Sequence, residues 1–281
     1  MKVLVTGASG FVGSRLVPHL QSAGHVVVPV GREASSHGIV WDLANGGQHR
    51  FPADAEAVVH LAQSRNYRAF PADAEHMFAV NVAGTHAVLA AAAAAGIKRF
   101  CLVSSGAVYE PFLGSLSEEA PLNPSGFLGA SKLAGEVVAR PYAGLMSLSI
   151  LRLFFPYGPG QSGRLVPEII RRVRNGVPID VSTDGEGLRL TPTHVDDVCD
   201  AIVTAIEGSW VGTINVAAPS SLSIAELGRQ VGSAIDRPVF FNPCLNVSPP
   251  IVPDLTKLGR VYDLGRMRTF QSSVSSLVAS G

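Results

Sequence analysis

Residues 6–13 read TGASGFVG, and their setting between two patterned segments decides the fold. Residues 3–6 form a short apolar run that reads as a strand; residues 11–23 carry helical spacing and are stopped by Gly24. A glycine triplet placed between a strand and a helix is the signature of a phosphate-binding turn. Gly7 permits the tight turn, Gly10 lets backbone approach a pyrophosphate with no Cβ in the way, and Gly13 lets the helix pack closely on the sheet. The helix N-terminus adds unpaired N–H groups and a partial positive charge. With Ser9, Phe11 and Val12, these glycines form the expected pyrophosphate contact of a dinucleotide.

Outward from this turn, short β-branched runs at 25–30, 57–61, 99–104 and 148–153 alternate with helical segments at 74–95 and 127–140. Such alternation predicts an α/β fold, a doubly wound parallel sheet with helices on both faces. After Gly158 glycine and proline become frequent, and helical patches at 165–175, 195–207 and 224–235 are divided by loops. The expected division is a dinucleotide-binding core over 1–160, rejoined by segments near 190–220, and a smaller C-terminal substrate lobe over 161–281, placed at the C-terminal edge of the sheet. The serine-rich tail from Ser272 is expected to fray.

Lys plus Arg and Asp plus Glu each number 22, so no global field favours nucleic acid or an anionic membrane, and the expected partner is a small molecule. Cys101, Cys199 and Cys244 lie far apart without metal-ligand spacing, which predicts ordinary thiols in a reducing compartment and no metal site. The first ten residues pass from one lysine straight into the glycine turn, leaving no room for a signal peptide; the expected location is cytoplasmic. The alanine-rich 87–96 reads as a tightly packed helix, short for a membrane span.

A carboxylate that would accept from the adenosine 2′-OH of NAD is expected at the end of the second strand, about 20 residues past the glycines. Gly31 and then Arg32 stand there. A guanidinium suits a 2′-phosphate, and Ser35 and Ser36 add hydroxyls, so NADP is favoured over NAD. Asp42 is placed to meet the adenine amine.

Taken together, TGASGFVG, WDL (41–43), VVHLA (58–62), NVAGT (81–85), VSSGAVY (103–109), GASKLAGE (129–136), RLFFPYGPG (152–160) and HVDDV (194–198) resemble the extended short-chain dehydrogenase/reductases, the family of NAD-dependent epimerases and dehydratases. The resemblance covers roughly residues 1–235 in order and spacing. It implies a Rossmann fold, a homodimer formed through two helices per subunit, and cofactor contacts from Asp42, Leu43, Leu61, Ala62 and Asn81. It also implies that Ser105 hydrogen-bonds the reacting oxygen and that Lys132 binds the nicotinamide ribose and activates a neighbouring phenol.

That phenol is missing. The family motif is Tyr, three residues, Lys, one helical turn apart, and four residues before Lys132 stands Leu128. Leucine has no proton to transfer. Four readings remain open: another group (Tyr109, Tyr157, Glu110 or His194) supplies the proton; the reaction needs no phenol, as in a cofactor-assisted lyase, cyclase or isomerase; the protein binds the dinucleotide as a silent sensor or partner; or the chain is altered at this position. We expect an epimerase- or reductase-like enzyme built on Ser105, Lys132 and Tyr109.

In the resemblance Arg189 matches an arginine that holds a substrate diphosphate, a task suited to a bidentate fork. Phe155 stands where sugar-nucleotide enzymes carry asparagine, which leaves room for a less polar carbonyl or alcohol substrate beside a nucleotide sugar. Gly106 and Ala107 occupy the place of the Asp-Glu pair of 4,6-dehydratases, which demotes that reaction. Asp196 and Asp197 are expected to complement a helix dipole.

Overall fold

Val3, Leu4 and Val5 are fully buried, and the strand they build, β1 (Lys2–Thr6), lies inside a seven-stranded sheet in this computed structural model. The structure describes residues 1–33, 38–47, 49–208, 210–245 and 249–279. The chain continues through α1 (Phe11–Ser22), β2 (Val26–Gly31), β3 (Ile39–Val40), β4 (Ala57–His60), α2 (Ala74–Phe78), α3 (Thr85–Ala94), β5 (Arg99–Ser105), α4 (Phe127–Ala139) and β6 (Ser147–Leu153).

The sheet order is β3, β2, β1, β4, β5, β6, with Gly212–Val216 at the far edge, and every pairing from β3 to β6 is parallel. Strands covered on both faces need apolar side chains on both, which is why β4 is buried at all four positions. The order reverses between β1 and β4, and that switch point is where doubly wound sheets bind ligands. The doubly wound Rossmann fold expected from the sequence is therefore the observed one.

The segment expected as one helix over 74–95 is divided: a π turn, Ala79–Gly84, separates α2 from α3. Gly84 sits against Leu43, whose Cβ would lie 2.9 Å from an added Cβ. Residues Ala74–Ala94 span 21 positions and are, among the described residues, the one helix long and apolar enough to cross a membrane. Here Val88, Leu89 and Ala92 are fully buried in the core with Leu4, Val58 and Phe100.

Two compact units form: Met1–Pro111, Glu118–Leu153 and Cys199–Asn215 make the sheet unit, and Phe112–Ser117, Phe154–Val198 and Val216–Gly281 the other. The core of the second unit joins Ile169, Val173, Leu227 and Val231 from helices Leu165–Arg174 and Ile224–Ile235. It also corrects the expected frayed tail: Phe270–Ala279 is a helix with Phe270, Val274 and Leu277 buried in that core. These three lie on one face at intervals of four and three. Ser272, Ser273 and Ser276, which hid the pattern, bond back to carbonyls one turn earlier, as with Ser273 Oγ to the Phe270 carbonyl at 3.1 Å.

Candidate functional site

Gly7 has φ +69°, and a Cβ there would lie 2.9 Å from Ala62 N and 3.0 Å from Leu61 C. The turn after β1 is thus pressed against the end of β4, at the switch point. At Gly13 a Cβ would overlap the Gly7 carbonyl and lie 2.7 Å from Ala8 Cα. This glycine lets α1 close on its own turn, a tighter approach than the helix-to-sheet packing expected. Gly10 N–H donates to the Gly7 carbonyl at 2.9 Å, and Gly10 is the N-cap of α1. No side chain caps α1 and no acidic residue occupies its first turn, so its N-terminal dipole has no anion of its own. Exposed Ser9 and half-buried Phe11 and Val12 border this end. The arrangement fits a pyrophosphate.

Arg32 is exposed just past β2 and is followed by exposed Glu33; Ser35 and Ser36 lie outside the described residues. Asp42 caps the short turn Leu43–Asn45, accepting from Ala44 N and Asn45 Nδ2 at 3.1 Å each, while Leu43 is buried. Leu61 and Ala62 donate their backbone N–H groups to Thr6, to its carbonyl and its Oγ1 respectively, both at 3.2 Å. Asn81 lies in the π turn; its Oδ1 accepts from Ser64 N at 2.9 Å and its Nδ2 donates to Ser131 Oγ at 3.0 Å.

On the β5 side, Lys132 is 8% exposed and donates to the Val103 carbonyl at 2.9 Å. Burial pulls its ammonium down to about 8, opposed by the negative charge of Glu136. Ser105, two residues beyond Val103 on the same face of β5, caps the turn that follows and accepts from Ala107 N at 3.2 Å. Leu128 is half-buried in the first turn of α4, one turn before Lys132.

Tyr109 belongs to a second hydrogen-bond network. Its hydroxyl donates to Asn215 Oδ1 at 2.8 Å and accepts from Arg152 Nη1 at 2.7 Å, and burial raises its pKa. Arg152 in turn forks onto Glu136, Nε to Oε1 at 3.0 Å and Nη2 to Oε2 at 2.7 Å, and Ser104 Oγ donates to Oε1 at 2.6 Å. Both charges are buried, so the pair anchors α4 between β5 and β6. The anchor was not expected from sequence; its signal was an acid one helical turn past Lys132 in GASKLAGE.

The remaining candidates are also engaged. Glu110 accepts from Gly126 N at 3.0 Å. In the second unit, Tyr157 OH bonds Ser273 Oγ at 2.7 Å and burial pushes it up to about 12; buried His194 Nδ1 accepts from Asp196 N at 3.2 Å. Asp197, in the first turn of its helix, pairs with Arg268. Arg189 binds Glu226 at 3.1 Å and the Ser221 carbonyl at 3.1 Å. Phe155 has φ +41°, a conformation that asparagine adopts at less cost than a bulky side chain, and packs on the core of that unit. Among the described residues no cluster of three or more His, Cys, Asp or Glu could hold a metal ion.

A parallel sheet with a glycine-lined, uncapped helix N-terminus at its switch point defines a dinucleotide-binding α/β protein. The model of the NAD dependent epimerase/dehydratase family matches residues 3–217, and the chain belongs to that family. Among similar proteins are UDP-glucose 4-epimerase of Mycolicibacterium smegmatis, 31% identical with 87% of each chain covered, and dTDP-glucose 4,6-dehydratase of Actinoplanes sp., 29% identical with 76% of this chain and 75% of the relative covered. The solved structure of MoeE5 in complex with UDP-glucose and NAD superposes with TM-score 0.81 at 26% identity, over 100% of this chain and 98% of the other.

Proposed function

We propose that the protein is a nicotinamide-dinucleotide enzyme acting on a hydroxyl or carbonyl of a nucleotide sugar or a less polar relative, with Lys132 and Ser105 as its acid–base pair in place of a phenol. One observation carries this: Lys132 is buried beside β5, one turn from Leu128, with a pKa drawn to about 8. A proton-exchanging group works best when its pKa lies near the operating pH. Tyr109 is given a structural role, because its hydroxyl is spent on Arg152 and Asn215.

The dinucleotide, when bound, supplies hydride transfer; the glycine turn and the N-terminus of α1 hold its pyrophosphate. Arg32 supports NADP over NAD through the 2′-phosphate, although MoeE5 was solved with NAD. Arg189 would meet a substrate diphosphate by exchanging Glu226 for it. Pairing of two subunits through two helices of each, α2 and α4, is supported by the exposed Phe78 and Val137.

The apolar Leu128 favours a second reading, a silent dinucleotide-binding sensor. Identifying the nucleotide retained on purification, then following reduced nicotinamide with a panel of nucleotide sugars and carbonyl compounds, separates the two. The enzyme reading expects turnover that Lys132→Met and Ser105→Ala abolish. Tight binding with no turnover on any member of the panel favours the sensor.

A further inference from the structure

His60 closes β4 with no role in the site just described, yet it is 1% exposed and bonded at both ring nitrogens. Thr85 Oγ1 donates to the Asn81 carbonyl at 2.8 Å, so towards His60 Nε2, 3.0 Å away, it must accept. The proton of a neutral ring is then on Nε2, and Nδ1 accepts from Thr6 Oγ1 at 2.7 Å. Thr6 Oγ1 itself accepts from Ala62 N at 3.2 Å. Each hydroxyl gives one proton and takes one.

At Asn81 the link passes through the residue's own covalent frame, from the main-chain carbonyl that accepts from Thr85 to the side-chain amide, and then continues to α4. Asn81 Nδ2 donates to Ser131 Oγ at 3.0 Å, and Ser131 Oγ donates to the Leu128 carbonyl at 3.0 Å. Helix α4 rests on the same π turn, since a Cβ at Gly135 would lie 2.8 Å from the Asn81 carbonyl. One end of the chain is therefore Thr6, the residue before Gly7, and the other is the turn that carries Leu128 and leads to Lys132. Burial, with the Lys132 charge as a smaller contribution, pulls the imidazole down to about 3, so it stays neutral.

We propose that His60, as its Nε2–H tautomer, is a positioning residue that ties the phosphate-binding turn to the Lys132-bearing turn of α4 through one directed hydrogen-bond chain. It acts on the cofactor only through Thr6 and α4. Cutting the chain leaves the pyrophosphate site intact and lets the nicotinamide end of the site drift. The inference rests on the dinucleotide reading above.

The test compares ADP, which reaches the adenine end and the phosphate turn but lacks the nicotinamide half, with the full dinucleotides NAD and NADP, by calorimetric titration of wild type and Thr85→Val. Valine keeps the shape and removes the link between His60 and Asn81. Leaving a buried donor and acceptor unpaired is expected to weaken the dinucleotide roughly ten-fold while ADP stays within about two-fold. His60→Phe should do the same; if it fails to fold, Thr85→Val carries the comparison. Equal losses for both ligands, or none, would overturn the proposal. Nitrogen-15 NMR of the wild-type ring gives a second readout: an Nε2–H imidazole that does not titrate between about pH 5 and 8 supports it, and an Nδ1–H or titrating ring overturns it. If the wild type binds ADP and neither dinucleotide, the dinucleotide reading itself has failed, whereas equal losses in the variant sink only the role of His60.

Discussion

Two helix starts face the same chemistry in different ways. At α1 the glycines permit contacts that no Cβ allows, the helix end carries no capping side chain, and nothing departs from what a pyrophosphate requires. At α4 the anchoring is as tight, through Glu136 and Arg152, but the side chain expected to transfer a proton is Leu128. The difference teaches that holding a dinucleotide and using it are separable properties of one fold. The first depends on backbone shape, the second on single titratable groups.

The largest expected effect strikes the anchor of α4. Arg152→Met leaves the Glu136 carboxylate buried without its fork and should destabilise by about 3–5 kcal/mol in urea unfolding, whereas adding Glu136→Leu should restore much of the loss. Recovery in the double variant would mark the pair as an anchor of α4 rather than a catalytic couple.

Gly13→Ala attacks the other helix start. With backbone atoms of Gly7 and Ala8 in the way, we expect about 1–3 kcal/mol of destabilisation and a loss of dinucleotide binding that Leu128 variants do not share. An alanine variant that binds normally would break the comparison at its firmer end.

Lys132→Met probes the burial of the ammonium itself. The native group, near 8, binds fewer protons than the unfolded one, near 10.5, so wild-type stability contributed by this residue rises as pH climbs from 8 to 10.5. Below 8 the native charge carries a penalty on the order of 1–3 kcal/mol, reduced by its bond to Val103. The methionine variant should therefore be more stable than wild type at neutral pH, with the gap closing towards 10.5, as read by denaturant titration across pH.

The smallest effect concerns cofactor choice. Arg32→Glu should move the preference from NADP to NAD by about 1–2 kcal/mol, seen as a change in the ratio of the two dissociation constants. An unchanged ratio would assign the selection to other residues.

The glycine turn, the alternation of strands and helices along the chain and the helices Leu165–Arg174, Val195–Glu207 and Ile224–Ile235 were legible because each writes its pattern in neighbouring residues. The site was legible only where its parts lie on one element, as with Leu128 and Lys132 on α4. His60 was visible as the one polar residue ending an apolar strand, but its partners come from β1 and from the start of α3, 54 and 25 residues away. The fork from Arg152 to Glu136 joins a strand to a helix in the same way. The terminal helix was missed because Ser272, Ser273 and Ser276, whose hydroxyls bond to backbone carbonyls, interrupt an otherwise regular apolar face.

Proton transfer through Lys132 rather than a phenol would write the lysine's own titration into the rate. The most direct measurement is the pH dependence of turnover at saturating dinucleotide in wild type and Leu128→Tyr. One wild-type inflection near 8 is expected, shifted in the tyrosine variant while dinucleotide affinity stays within about two-fold. A wild-type profile without an inflection near 8, or one that tyrosine leaves in place, would contradict it.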